Sequence, residues 1–253
     1  MRVAVVGPTG RMGRQVLEIC EQQPGLEVVG RVGKPDEAGA VPISSLEGAA
    51  VDVLIDFSHR EAVAAHAAFC ATHRVAWVLG TTGLDADDEA AVAAAAGETL
   101  VFRASNFSVG VALLVDLVAR AARILGEDAD IEVVESHHHH KVDAPSGTAL
   151  TLARAAASAR GQILEDVVQH GRSGICGARP RGEIGMHALR LGDIVGHHEV
   201  HFGWQAEGLV LTHDARDRAV FARGAVRAAR WTHARRAAGQ RGVVGMAELL
   251  ADA

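Results

Sequence analysis

Residues 2–13 read Arg-Val-Ala-Val-Val-Gly-Pro-Thr-Gly-Arg-Met-Gly. The opening apolar run, residues 2–6, has the pattern of a strand buried on both faces of a parallel sheet. Gly7 ends it. Residues 11–23 follow with Met12, Val16, Leu17 and Cys20 at helical spacing. A strand that turns sharply through glycines into a helix is built to hold a pyrophosphate. The glycines let the backbone approach a ligand, and the exposed N–H groups and helix dipole attract the anion. The spacing is G-x-x-G-x-x-G rather than G-x-G-x-x-G, so the motif draws its force from its place between a buried strand and a helix. The alternative is a tight strand–helix turn with no ligand.

The same rhythm continues outward. Residues 26–32, 51–57, 75–79 and 99–103 read as strands, with helices over 60–73 and 85–96. Strands alternating with helices imply a parallel sheet covered on both faces. After Asn106 the rhythm changes. A long helical pattern over 109–125 leads to a half-buried strand over 129–136, a loop-like segment and a helix over 147–160. Short strand-like pieces crowd residues 183–213 without helices between them, and 217–236 returns to helix. The expected fold class is α/β: a Rossmann-like, doubly wound parallel-sheet domain plus a smaller α+β domain with a mixed or antiparallel sheet. The expected boundaries are 1–107 with 218–253 for the dinucleotide-binding domain, and 108–217 for the substrate-binding and oligomerisation domain.

Composition removes several classes. The chain has 253 residues, 49% hydrophobic and 22% charged, an ordinary globular balance. At roughly 150 residues per domain, one large or two modest domains are expected. The net charge of −6, 4% aromatic content and absence of Tyr argue against a nucleic-acid binder. No apolar run reaches the roughly 18 residues of a membrane span, and the strand-like N-terminus is not a signal peptide. The three cysteines, Cys20, Cys70 and Cys176, are odd in number and far apart, which suits a reducing cytoplasm.

Residues 135–149 read Glu-Ser-His-His-His-His-Lys-Val-Asp-Ala-Pro-Ser-Gly-Thr-Ala. An expression tag is excluded because the run is internal and short. A metal site is disfavoured because successive strand residues point to alternate faces, and co-ligands at metal spacing are missing. The favoured reading is an acid–base and anion site. Histidine exchanges protons near neutral pH, and Lys141 is close enough to cooperate. Ser146 is a suitable N-cap, leaving the N–H groups of Gly147 and Thr148 to face a carboxylate. With a nicotinamide domain, that set describes a reduction in which the protein supplies the proton.

These residues resemble a known family closely. The pattern E-x-H-H-x-H-K-x-D-A-P-S-G-T-A, here Glu135 to Ala149, is the signature of the 4-hydroxy-tetrahydrodipicolinate reductase (dihydrodipicolinate reductase) family. Gly7 to Gly13 resembles that family's cofactor loop. Gly80-Thr81-Thr82-Gly83, residues 104–110, residues 190–196 and residues 221–225 resemble further landmarks. The resemblance implies that His137 is the general acid–base residue, and that Lys141 is the proton donor and a substrate contact. It implies that His138, Gly147 and Thr148 bind the carboxylates of a small dicarboxylate substrate. It also implies that Gly7, Pro8, Thr9, Gly10, Arg11, Met12, Gly80, Thr81, Thr82, Ala104, Ser105, Asn106 and Phe107 line the cofactor, with Arg218 at the return into the first domain. Family members are typically homotetramers joined through the sheets of their second domains. The implied reaction converts 4-hydroxy-tetrahydrodipicolinate to tetrahydrodipicolinate in lysine and diaminopimelate biosynthesis, in the cytoplasm. Closure of the second domain over the first is expected to gate the site.

The cofactor is NADPH or NADH. An acid for the adenosine ribose is expected near the end of the second strand, but Arg31-Val32-Gly33-Lys34-Pro35 offers none. Arg31, Lys34 and Arg11 suit a 2′-phosphate and favour NADPH. His197 and His201 fall on one strand face and His198 on the other, with a structural or exposed role expected. The arginines of 217–236 read as the solvated face of a helix. Two alternatives stay open: a dehydrogenase of the same fold acting on another small anionic imine or amino acid, and a nucleotide-binding protein with a dead site.

Overall fold

A computed structural model describes every residue except Pro35, Asp36 and Ala38. Pro35, the last residue of the basic window, therefore lies outside the described residues. The elements are β1 (Arg2–Val6), α1 (Arg11–Gln22), β2 (Glu27–Val32), β3 (Val53–Asp56), α2 (Val63–His73), β4 (Ala76–Leu79), α3 (Ala86–Glu98) and β5 (Leu100–Arg103). They continue with α4 (Val109–Leu125), β6 (Asp130–His137), α5 (Gly147–Ala159), α6 (Leu164–Val167), β7 (Val168–His170), β8 (Ile184–Arg190), β9 (Gly196–Trp204), β10 (Glu207–Ala215), α7 (Ala219–Ala237), β11 (Gly242–Val244) and α8 (Met246–Ala251). Two compact units result: Met1–Val109 with Ala219–Ala253, and Gly110–Arg218.

The first unit carries a six-stranded sheet in the order β11-β5-β4-β3-β1-β2. Every pairing in it is parallel. Alternation along the strands loads both faces. Val3 and Val5 join Val16, Leu17 and Cys20 of α1 and the alanine-rich side of α7 in one core. Ala4 and Val6 join residues of α2 and α3 in the other. Burial of large side chains such as Trp77 and Phe102, both at 0% exposure, contributes about 1.5–3 kcal/mol each. The strand order reverses between β1 and β3. In open α/β sheets, ligands bind beyond the strand ends at that reversal.

The second unit has a five-stranded sheet in the order β10-β9-β6-β8-β7. The β6–β8 and β7–β8 pairs are parallel, and the β6–β9 and β9–β10 pairs are antiparallel, so the sheet is mixed. Ile131, Val133, Ile184, Met186, Val200 and Phe202 bury one face against α4 and α5. The other face presents Glu132, His187, His197, Glu199 and His201, with Leu189 and Val210 each 49% exposed.

Four short elements escape a sequence reading. Helices α6 and α8 span 4 and 6 residues, and strands β7 and β11 span 3 each. None is long enough to display a period. Strand β11 starts at Gly242 with φ +113° and is defined by its pairing with β5. No helix among the described residues is long and apolar enough to cross a membrane.

Helix α7 approaches the chain after β5 so closely that only glycine fits at position 224. A Cβ there would lie 1.7 Å from the Phe107 carbonyl oxygen. Gly97, near the end of α3, has nothing within 4 Å of its Cβ position. The same substitution should therefore have opposite signs. Gly224→Ala should cost about 1–3 kcal/mol through overpacking, and Gly97→Ala should gain about 0.5–1 kcal/mol from helix propensity. Urea unfolding midpoints at equal slope would check both; a neutral Gly224→Ala would contradict the seating of α7.

Candidate active site

Strand pairing assembles a histidine–carboxylate group in the second unit. In the parallel register, β6 sets His137 beside Arg190 of β8. In the antiparallel register, it sets Glu135 beside His198 of β9. Glu135 is wholly buried, and its carboxylate is fully engaged. His137 Nδ1 donates to Oε2 at 2.6 Å, and the Ser146 N–H donates to Oε1 at 3.0 Å. Arg190 donates to both oxygens at 2.8 Å. Burial pushes the Glu135 carboxyl up, but the hydrogen bonds from Arg190, His137 and Ser146 outweigh it and hold it below the usual carboxylate value. Donation from Nδ1 leaves His137 Nε2 as the nitrogen available for chemistry. A Cβ on Gly196 would come within 3.1 Å of that Nε2, so glycine keeps it uncrowded. Burial lowers the His137 pKa and Glu135 opposes the shift, leaving the ring below the usual histidine value.

The residues after β6 form a rim of polar and charged side chains. His138 Nε2 accepts from Arg218 at 3.1 Å. Burial, and then the Arg218 charge, lower its pKa, which favours the neutral acceptor form. The Lys141 N–H closes a turn onto the His138 carbonyl at 3.1 Å, and its ammonium rests on Asp143 at 2.8 Å. Ser146 caps α5 by accepting from the Ala149 N–H at 3.2 Å, so Gly147 and Thr148 are the first two helical residues. Among the predicted site residues, His137, His138, Lys141, Gly147 and Thr148 thus lie around the end of β6 and the start of α5. His139 is exposed, with Nδ1 donating to the Gly192 carbonyl at 2.8 Å.

The other predicted residues lie at the carboxyl ends of parallel strands in the first unit. Gly7, Pro8, Thr9 and Gly10 link β1 to α1, whose first residues are Arg11 and Met12. Gly80, Thr81 and Thr82 follow β4, and Ala104, Ser105, Asn106 and Phe107 follow β5. Gly7 has φ +71°, and a Cβ there would lie 2.7 Å from the Phe57 carbonyl oxygen. A Cβ on Gly13 would lie 1.9 Å from the Gly7 carbonyl oxygen. The cradle thus admits glycine alone at both positions, and with Gly10 as N-cap of α1 it has the shape and dipole for a dinucleotide pyrophosphate. Lys34 is exposed beyond β2. Arg31 is half exposed and paired with Glu21 at 2.8 Å.

Sequence reasoning passed over several residues. Glu135 and Arg190 lie in quoted motifs, but their partnership spans 55 positions. His198 is not exposed: Ser146 Oγ lies 3.1 Å from its Nε2 and the His137 ring centroid 5.1 Å away. Asp56, buried at the end of β3, accepts from the Ser58 N–H and hydroxyl, His66 Nδ1 and Trp77 Nε1. Its strand-end position was the available signal. Among the described residues, no group of three or more His, Cys, Asp and Glu could hold a metal ion.

Comparison with known proteins covers both units. The family described as "Dihydrodipicolinate reductase, N-terminus" matches residues 1–107, and "Dihydrodipicolinate reductase, C-terminus" matches residues 110–250. The chain is 45% identical over 246 residues to a 4-hydroxy-tetrahydrodipicolinate reductase of Ruegeria pomeroyi, covering 90% of this chain and 91% of the relative. It is 46% identical to the protein of that name from Dinoroseobacter shibae, with the same coverage. A dipicolinate-bound dihydrodipicolinate reductase from Paenisporosarcina sp. TG-14 superposes with a TM-score of 0.79 at 25% identity, covering 97% of both chains.

Beside the His137–Glu135 pair, burial pushes the His198 pKa down to about 3. As pH falls below the ordinary histidine value of 6.5, the unfolded chain takes a proton that the folded chain refuses, and stability falls. His198→Gln removes that term. The stability advantage of the wild type over His198→Gln should shrink by up to about 2 kcal/mol between about pH 7 and 5. Urea unfolding of both proteins across that range tests this; parallel pH profiles would show that His198 titrates alike folded and unfolded.

Proposed function

This chain belongs to the dihydrodipicolinate reductase family, and on that premise we propose that it converts 4-hydroxy-tetrahydrodipicolinate to tetrahydrodipicolinate at the expense of NADPH or NADH. In net terms the substrate gains a hydride and a proton and loses water. The observation that carries this assignment is the set around β6: a histidine oriented by a buried carboxylate, an ammonium, and a helix N-terminus that attracts anions. A dicarboxylate that must accept a proton suits such a set.

The family resemblance implies the roles, and the local chemistry supports them. His137 serves as the general acid–base group through Nε2, because Glu135 holds its Nδ1–H and stabilises the charge the ring acquires with a second proton. Lys141 leaves Asp143 to contact the substrate and donates the proton. His138, oriented by Arg218, and the N–H groups of Gly147 and Thr148 hold the carboxylates.

The loops after β1, β4 and β5 would hold the dinucleotide: Gly7 to Met12, Gly80 to Thr82, and Ala104 to Phe107. A reduced nicotinamide bound there supplies the hydride. Lys34 and Arg11 are exposed cations suited to a 2′-phosphate. The protein acts in the cytoplasm in lysine and diaminopimelate biosynthesis, as a homotetramer. The half-exposed face of the second sheet, with Leu189 and Val210, supports that assembly.

A coupled assay tests the reaction. A dihydrodipicolinate synthase generates the unstable substrate from pyruvate and aspartate semialdehyde, and NADPH and NADH oxidation are followed in parallel. Lys141→Ala and His137→Gln should each lower kcat by about 10²–10⁴-fold, with dinucleotide affinity unchanged within about twofold. Full turnover in Lys141→Ala would remove it as the proton donor. No oxidation by folded, dinucleotide-binding wild type would point to another small anionic imine as substrate.

A further inference from the structure

The chain that continues β8 is bonded to the histidine run. The Leu191 N–H donates to the His137 carbonyl at 3.0 Å, the His138 N–H to the Ile194 carbonyl at 2.8 Å and the His139 N–H to the Gly192 carbonyl at 3.3 Å. At the head of this segment, Arg190 stands beside His137 in the parallel register. Glu135, two residues back along β6, shares the face of His137. The Arg190 guanidinium meets the Glu135 carboxylate as a fork, Nη1 to Oε2 and Nη2 to Oε1, both at 2.8 Å. Nη2 also donates to the Asp143 carbonyl at 2.6 Å, and the Asp143 carboxylate is where the Lys141 ammonium rests. One planar group therefore touches the residue that orients His137 and the residue that holds Lys141.

The groups that face the His137 ring come from every element around it: Glu135 on its own strand, Arg190 on β8, His198 on β9 and Lys141 on the loop. Helix α5 contributes the uncharged Ser146 N–H. His198 stays neutral, because burial lowers its pKa to about 3, and Lys141 has Asp143 as counter-ion. Arg190 is then the cation that balances the buried Glu135. Without it, the Glu135–His137 pair would carry an uncompensated negative charge and would take up a proton at higher pH. Burial comes first among the influences that lower the His137 pKa, followed by the Lys141 and Arg190 charges, with Glu135 opposing them. A lysine at position 190 would supply the charge but not the fork. We propose that Arg190 is a positioning residue of the reaction: through Glu135 it aims the His137 ring and keeps it neutral in the resting protein, and through the Asp143 carbonyl it holds the loop that presents Lys141. The inference rests on assigning proton transfer to His137 and Lys141.

Two variants separate charge from geometry. The His137 ring signals, identified by their loss in His137→Gln, are followed by NMR between about pH 4 and 8 in wild type, Arg190→Met, Arg190→Lys and Arg181→Gln. Arg190→Met should raise the pH at which the pair takes up a proton by at least about one pH unit, and the acid limb of the kcat/KM profile should move with it. Arg190→Lys should hold that pH within about half a unit of wild type. It should still lower kcat about 10–100-fold, because the Asp143 carbonyl loses its donor and Lys141 its position. Arg181 is exposed and paired with Asp128, so Arg181→Gln should match wild type in both. An unmoved titration in Arg190→Met, wild-type kcat in Arg190→Lys, or the same shift in Arg181→Gln would each overturn the role of Arg190. If Arg190→Met does not fold, the kcat and titration of Arg190→Lys decide the matter. The titrations need no turnover: wild type that fails to oxidise either dinucleotide in the coupled assay would overturn the assigned reaction, and the shift in Arg190→Met would be read independently of it.

Discussion

The second unit is organised around one carboxylate removed from water. Burying an isolated Glu135 would be costly, and such a charge persists only where its partners compensate. Here they come from three places along the chain: the His137 ring two residues on, the Arg190 guanidinium on the neighbouring strand, and the Ser146 N–H at the start of α5. Arg190 extends the network by donating to the Asp143 carbonyl at 2.6 Å. The loop that carries Lys141 is therefore fixed at both ends by groups that answer to Glu135. Strand pairing, helix entry and the orientation of the His137 ring are one problem with one solution.

The first unit uses the same device at its own strand ends. Asp56 is buried at the end of β3 and accepts from Ser58, His66 and Trp77. Its carbonyl takes the Gly80 N–H at 2.8 Å, and Thr81 Oγ1 donates to the Ser58 carbonyl at 3.3 Å. The Phe57 carbonyl between them crowds Gly7. The loops after β1, β3 and β4 are thus keyed to one another. The glycines of the loop after β1 are required as much by this backbone contact as by any ligand, so a glycine motif by itself says little until its neighbours are seen.

What could be read from the sequence follows from how far each interaction reaches. Residues 2–13 and the strand–helix alternation after them are local patterns, and they yield the parallel sheet. The signature at 135–149 carries its own N-cap and turn, so the grouping of His137, Lys141 and Gly147 is legible. Strand alternation also puts His198 opposite His197 and His201. Its burial depends on Ser146, 52 positions away, and no periodicity reports that. Three-residue strands such as β7 and β11 exist only through their partners.

The contrast between His137 and His198 shows how a fold assigns chemistry to one of two similar groups. Their ring centroids are 5.1 Å apart, both are nearly inaccessible, and burial drives both toward the neutral form. His137 has a carboxylate on Nδ1, which offsets the burial and lets the ring carry charge when chemistry requires it. His198 has the Ser146 hydroxyl, which carries no charge to offset anything, and its pKa falls to about 3. Environments that push two neighbouring titratable groups apart mark out which one exchanges protons. His198 is then a neutral strut that holds the Ser146 cap against the sheet, and its own resistance to protonation keeps a second positive charge away from the His137 ring.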